Sequence, residues 1–295
     1  MMKGFISRTA VAAPAQATRR TGVLVRLAED NSAWLAGSMV VALVGAALAA
    51  PILAPSDPTA IDLANALAPP SADSVLGRDA LGRDVLARIL HGARLSLLLG
   101  CVTVLLAGGL GSALGLVAGY YRGVPDSVIS RLTDVQLAFP PMLLAIAVVA
   151  TLGPGLFSLV LAVAVSTVPS FTRLVRGVVL GLATRDFVIG AYAVGAGAGR
   201  IMFKHLLPNC LAVIVVQASL RLSTVILTAS GLSFLGLGVQ PPMPEWGAML
   251  SDSRRYLLLA PHIPTTVGLA LLLTVLAFNL LGDAVRDALD PKLAT

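Results

Sequence analysis

The chain has 295 residues and few side chains equipped for chemistry, and several of those sit in one short stretch. "GAGAGRIMFKHLLPN", residues 195–209, sets Arg200, Lys204 and His205 among apolar neighbours and closes on Leu207-Pro208. Proline lacks a donor N–H and crowds the preceding turn, so Pro208 is expected to stop helix from running unbroken into the next apolar segment. Catalysis finds no support elsewhere. A nucleophile needs a base beside it, yet His91, His205 and His262 lie at the edges of apolar runs, with no Gly-x-Ser-x-Gly and no His-Glu-x-x-His. A phosphate-cradling loop ends in Gly-Lys-Ser/Thr, and none of Lys3, Lys204 and Lys292 follows such a turn. Cys101 and Cys210 begin apolar runs at a spacing that suggests neither a disulfide nor a metal site. No catalytic, cofactor or metal-ligating residue is expected.

Composition explains the scarcity. Apolar residues make up 57% of the chain and charged residues 12%, where a soluble domain carries about 25% charged. This is the membrane class. Lys+Arg exceed Asp+Glu, 21 against 15, as suits contact with the anionic headgroups of a bilayer. Nucleic acid is not expected as a partner, because the basic residues are scattered between apolar spans instead of gathered with aromatics.

A membrane-crossing helix needs about 20 apolar residues. Charge-free runs of 26 residues (31–56) and 27 residues (95–121) each supply one. A third run of 38 residues (135–172) is too long for one helix, and Gly153-Pro154-Gly155 divides it into a tight helical hairpin. Two more spans fall near 210–235 and between Arg255 and Asp283. Six spans put both termini on one side. With that side cytoplasmic, the inner segments are 1–32, about 120–135, about 173–209 and 283–295, and 14 of the 21 basic residues are inside, as the positive-inside rule requires. The expected organisation is an all-α polytopic protein with six transmembrane helices. A cytoplasmic tail covers 1–32 and a transmembrane domain 33–293, with an outer loop at about 55–92 and a cytoplasmic loop at about 177–209. In the second span Gly111, Gly115 and Gly119 form a small-residue stripe that lets another helix approach closely.

The loop at 177–209 is polar at its ends and apolar between, through Phe187, Val188, Val194, Ile201 and Phe203. Two readings stand: it docks on a soluble partner, or it lies along the headgroups as an interfacial helix. Arg221 is the one basic residue deep in a span. It either snorkels or pairs with a carbonyl or partner, or it lines a path and attracts a substrate carboxylate. Outside the membrane, "LGRDALGRDV" (76–85) repeats Leu-Gly-Arg-Asp, so its Arg and Asp side chains can clamp one another or meet a partner. Trp246, in "QPPMPEWGAML", reads as a headgroup anchor or as a partner contact. An ion-coupled secondary transporter of small polar solutes would need intramembrane carboxylates or histidines. The spans show none clearly buried, since Asp134 and His262 sit at edges.

"GAYAVGAGAGRIMFKHLLPN" (190–209) resembles the EAA loop of inner-membrane permeases of ATP-binding-cassette importers, in particular the C-type subunit of dipeptide, oligopeptide and nickel systems. That loop reads roughly Glu-Ala-Ala, three residues, Gly, nine residues, one variable residue, then x-Leu-Pro. Ala191, Gly195, His205, Leu207 and Pro208 fall on the pattern, while Ile189 occupies the Glu position and Gly190 that of the first Ala. "DSVLGRDALGRDVLARILHGARLSL" (73–97), "DVQLAFP" (134–140), "GLSFLGLGVQPPMPEWGAML" (231–250) and "LTVLAFNLLGDAVRDALDPK" (273–292) resemble further signatures of the same family. The resemblance implies a type I importer permease fold in the inner membrane and a non-catalytic subunit. It also implies a second permease subunit, two ATPase subunits and a periplasmic substrate-binding protein as partners. The loop that includes Ile189, Gly190, Ala191, Gly195, Arg200, Lys204, His205, Leu207 and Pro208 would dock the ATPase. Gly195 is expected to permit a turn that a side chain would obstruct. Dipeptides, longer peptides and nickel chelates all stand as substrates.

Overall fold

The structure, a computed structural model, describes residues 31–289. Those residues are helical, with no strand among them. Most of the N-terminal tail expected at 1–32, and the last six residues, lie outside the described segment. Helix α1 (Asn31–Leu48) is extended by a short turn at Ala50–Leu53. It is followed by α2 (Val85–Tyr121), α3 (Gly123–Ala138), α4 (Pro141–Leu152) and α5 (Leu156–Leu182). Helices α6 (Asp186–Ala193), α7 (Ala198–Phe234), α8 (Trp246–Ser253) and α9 (His262–Leu289) complete the chain.

Four helices, α2, α5, α7 and α9, are each long and apolar enough to cross a membrane. The third expected span is different: α3 and α4 meet the same test only together, and they bend by 96° at Phe139-Pro140. The residues at 120–135, expected as a connecting segment, therefore form most of α3. Its charges explain why. Asp126, Ser130 and Asp134 recur every four residues and so share one helix face. Asp126 there receives Arg176 Nη2 at 2.7 Å, and Asp134 receives Arg173 Nη2 at 2.7 Å. These pairs tether α3 alongside α5. The shorter apolar helix α1 falls below that test; counted with the bent pair and the four long helices it makes six apolar segments, compatible with the expected six spans. The break between α4 and α5 falls at Gly153-Pro154-Gly155, where Gly153 has φ +83°.

The central contact is between α2 and α5. A Cβ placed on Gly111 would lie 2.7 Å from Val168 O, and one on Gly115 would lie 2.5 Å from Thr172 O. Helix α5 is thus the neighbour that the small-residue stripe admits. Around this crossing lies a core of Leu99, Val104, Ala107, Val149, Leu159, Val163, Phe171 and Leu232.

The expected outer loop is shorter than 55–92, because α2 already begins at Val85. Asp84 caps it, its side chain accepting from Ala87 N–H at 2.8 Å. The Leu-Gly-Arg-Asp repeat folds on itself. Arg78 bonds Asp62 at 2.9 Å, Arg83 bonds Asp79 at 2.7 Å, and Arg88 reaches the same Asp79 carboxylate at 3.4 Å. Trp246 is not a headgroup anchor. It is 1% exposed, and its indole N–H donates to Ile89 O at 3.1 Å, inside a second core built with Val85, Ile89, Met249, Ile263 and Val267.

Candidate functional site

At the opposite end from Trp246, the loop after α5 folds into helix α6, which packs one face into the bundle. Val188 and Ala191 are buried with Leu116 of α2, Val175 and Val179 of α5, and Ile201, Met202, Leu206 and Cys210 of α7. Tyr192 stacks its ring on Tyr120 near the end of α2, the centroids 6.2 Å apart and the planes 9° from parallel. The other face is left open: Phe187 and Ile189 of α6, Val194 at its end and Phe203 of α7 are exposed apolar side chains. An apolar, solvent-facing helix seated across the ends of three long helices is suited to transmit a push from a docked partner.

The turn that ends α6 depends on Gly195. Ala196 N–H donates to Ala191 O at 3.0 Å and Gly195 N–H to Tyr192 O at 2.9 Å. These are the two bonds of a Schellman motif, which needs a left-handed residue at the position after the cap. Gly195 has φ +77°. A Cβ built there would meet nothing within 4 Å, so the backbone conformation demands glycine, whereas steric obstruction by a side chain was expected.

The helix does not stop at Pro208. Helix α7 is continuous from Ala198 to Phe234 and contains a π segment at Ile201–Leu206 immediately before the proline. Leu207 N–H reaches back five residues to Met202 O. The wider turn moves the chain off the four-residue ladder where proline would clash and lack a donor. Arg200, Lys204 and His205 project from this segment, and with Phe187, Gly190 and Val194 they line a cleft of about 320 Å³. The structure therefore gathers all the sequence-identified loop residues at one end of the bundle, Gly190 and Ala191 on α6 and Leu207 and Pro208 on α7.

Arg221 is half-buried midway along the apolar part of α7. It lines a second cleft, of about 420 Å³, with Gln217 of α7, Pro169, Ser170, Arg173 and Leu174 of α5, and Leu137 of α3. The pairing of Arg221 with Arg173 in one cleft was not legible, because 48 residues of sequence separate them. Glu245 was missed as well. Only 1% exposed, it caps α8 by accepting from Gly247 and Ala248 N–H, both at 2.9 Å. Burial pushes its carboxyl above the usual range, against the pull of those two amides. Its place just before Trp246-Gly247 after a proline-rich turn was the available signal. No cluster of three or more His, Cys, Asp or Glu that could hold a metal occurs among the described residues.

Comparison with known proteins gives these features a context. The profile described as binding-protein-dependent transport system inner membrane component matches residues 111–295. A second, the N-terminal TM domain of oligopeptide transport permease C, matches residues 20–70. The chain is 48% identical over 269 residues to the glutathione transport system permease protein GsiD of Pectobacterium atrosepticum, covering 91% of this chain and 89% of that one. It is 50% identical over 247 residues to the dipeptide transport system permease protein DppC of Alkalihalophilus pseudofirmus, covering 84% and 81%. In fold it is similar to a chain of the methionine ABC transporter MetNI in an inward-facing conformation, with a TM-score of 0.55 at 19% identity over 68% of this chain and 96% of that one. With a family profile covering most of its length and relatives at about half identity across nearly all of it, the chain belongs to the inner membrane components of binding-protein-dependent transport systems.

Proposed function

We propose that this chain is the transmembrane subunit of an ATP-driven peptide importer. It forms the translocation path with a second permease, and of the two ATPase subunits that drive the pair one docks on its α6 and the start of α7. The observation that carries the reading is the seat of α6: one face buried against α2, α5 and α7, the other presenting Phe187, Ile189 and Val194 outward beside Arg200 and Lys204. A helix placed so converts movement of a bound ATPase into movement of three spans at once. Substrate reaches the outer side on a binding protein, and dipeptides head the substrate classes because the similar permeases are named for dipeptide and glutathione transport. The subunit itself does no chemistry; it contributes differential contacts to two states of the path. Reconstitution with the second permease, the ATPases and the binding protein is expected to give dipeptide uptake that requires ATP. Uptake driven by an ion gradient without ATPase subunits would instead mark a secondary transporter.

Both termini are cytoplasmic in this reading. With Cys101 and Cys210 replaced by serine, single cysteines at Ser71 and Ser251 are expected to react with an impermeant thiol reagent added outside. Those at Thr18 and Thr295 should not. The reverse pattern inverts the topology.

Ile189 tests how the ATPase is held. Its side chain is exposed on α6, and substitutions at such surface positions usually change stability by less than ~0.5 kcal/mol. Glu occupies this position in the EAA loop that the segment resembles, so Ile189→Glu is expected to retain uptake within about twofold of wild type. A loss beyond tenfold would show that the ATPase groove requires an apolar side chain there.

A further inference from the structure

The cleft between α3, α5 and α7 holds more positive charge than its surroundings neutralise. Arg173 and Arg221 both line it, and its other polar lining residues, Ser170 and Gln217, are neutral hydrogen-bonding groups. The acid that reaches this pair of arginines is Asp134, which receives Arg173 at 2.7 Å. Among the described residues Arg221 forms no ion pair. An unpaired guanidinium within a span is costly and marks a functional position by default. Here Arg221 lines an open cleft, which leaves room for an anion beside it.

We propose that this cleft is a carboxylate-binding station on the translocation path, and that its two guanidinium groups favour peptides with a side-chain carboxylate beside the C-terminal one over peptides that carry the C-terminal carboxylate alone. The inference rests on the peptide-importer reading above. Three observations support it. The planar fork of arginine matches a carboxylate bidentately, and Arg221 has no competing acid. The Arg173–Asp134 pair is solvent-exposed on both sides, 59% and 65%, so screening leaves it weak and an incoming carboxylate can exchange with Asp134. The cleft volume of about 420 Å³ falls in the range of about 300–1,000 Å³ that small-molecule sites occupy.

The test uses the complete transporter in proteoliposomes with its binding protein and three probes: Ala-Glu, Ala-Ala and Ala-Lys. Each peptide is compared between variant and wild type, so the preference of the binding protein cancels. Arg221→Gln is expected to lower Ala-Glu uptake about tenfold, the loss of one charge-assisted contact, and to leave the other two within about twofold. Arg221→Lys should restore most of the difference, and ATP hydrolysis stimulated by the binding protein should not change. Equal effects on all three peptides overturn the proposal. So does failure of Arg221→Gln to assemble with the second permease, which would make Arg221 an intersubunit ion-pair partner.

A second measurement does not depend on delivery. Gln217→Cys, in the background lacking Cys101 and Cys210, is expected to react about tenfold faster with a sulfonated than with a trimethylammonium methanethiosulfonate, relative to a free thiol. Arg221→Gln should remove that bias. Equal rates with Arg221 present sink the carboxylate station, while absence of ATP-driven uptake of every peptide by the wild type sinks only the peptide-importer reading.

Discussion

Replacing Gly195 by valine is expected to cut ATP-coupled uptake about ten- to a hundredfold while the subunit still inserts in the membrane. The estimate follows from the backbone: forcing a β-branched residue to φ +77° costs about 1–3 kcal/mol. Each 1.4 kcal/mol is a factor of about ten in the population of the native turn. The Schellman bonds to Ala191 and Tyr192 carbonyls would loosen, and α6 would lose its fixed angle to α7. Size is not the determinant, because no atom lies within 4 Å of the added Cβ. Ala and Trp substitutions should therefore behave alike, and asparagine, which tolerates the left-handed region, should retain much of the activity. Uptake and ATP hydrolysis measured on the same proteoliposomes separate the outcomes. Normal coupled uptake by Gly195→Val would falsify the role of this turn.

Gly115→Leu is expected to abolish most folded yield. A Cβ at Gly115 would sit 2.5 Å from Thr172 O and 2.9 Å from Arg176 N, so main chain, not a flexible side chain, would have to move. Overpacking of a well-packed interior costs typically 1–3 kcal/mol, and backbone contacts at this distance place the expected loss at or above ~3 kcal/mol. Gly109→Leu, on the same helix with nothing within 4 Å, is the control and should express as wild type does. Comparing the monodisperse fraction of the two purified variants decides the point. Equal recovery would mean that α2 and α5 do not cross where they are described.

The features legible in the sequence share a cause: each is written in local composition or spacing. Apolar length announced the spans, Gly153-Pro154-Gly155 announced the hairpin, and glycines four apart announced a close crossing, though not that α5 would be its partner. The Arg and Asp residues of the Leu-Gly-Arg-Asp repeat lie near enough in the chain to be read as self-pairing. What was misread depends on distant partners or on backbone register. Trp246 looked like an interfacial aromatic because Ile89, whose carbonyl takes its N–H, stands 157 residues away. Helix α3 looked like a loop because its charges are satisfied by Arg173 and Arg176 of α5. Pro208 looked like a stop because a π turn leaves no trace in hydrophobic periodicity. The loop proposed to dock the ATPase was recognisable by motif, but its geometry, with Tyr192 stacked on Tyr120, was not.

In the proposed docking, the unbroken course of α7 makes it a lever. Its 37 residues at ~1.5 Å each form a shaft of about 55 Å. One end carries the Gly195 turn and the other reaches Phe234 beside α8. A joint at Pro208 would have absorbed any push within about the first three turns. A stiff shaft instead multiplies it: tilting by about 10° about the docked end, a modest rotation by the standard of known switches, sweeps the far end through ~10 Å. Arg221 rides about 35 Å along the shaft, and the same tilt carries it ~6 Å against α5. The stroke at the cleft is then fixed by leverage, through the position of Arg221 between fulcrum and tip.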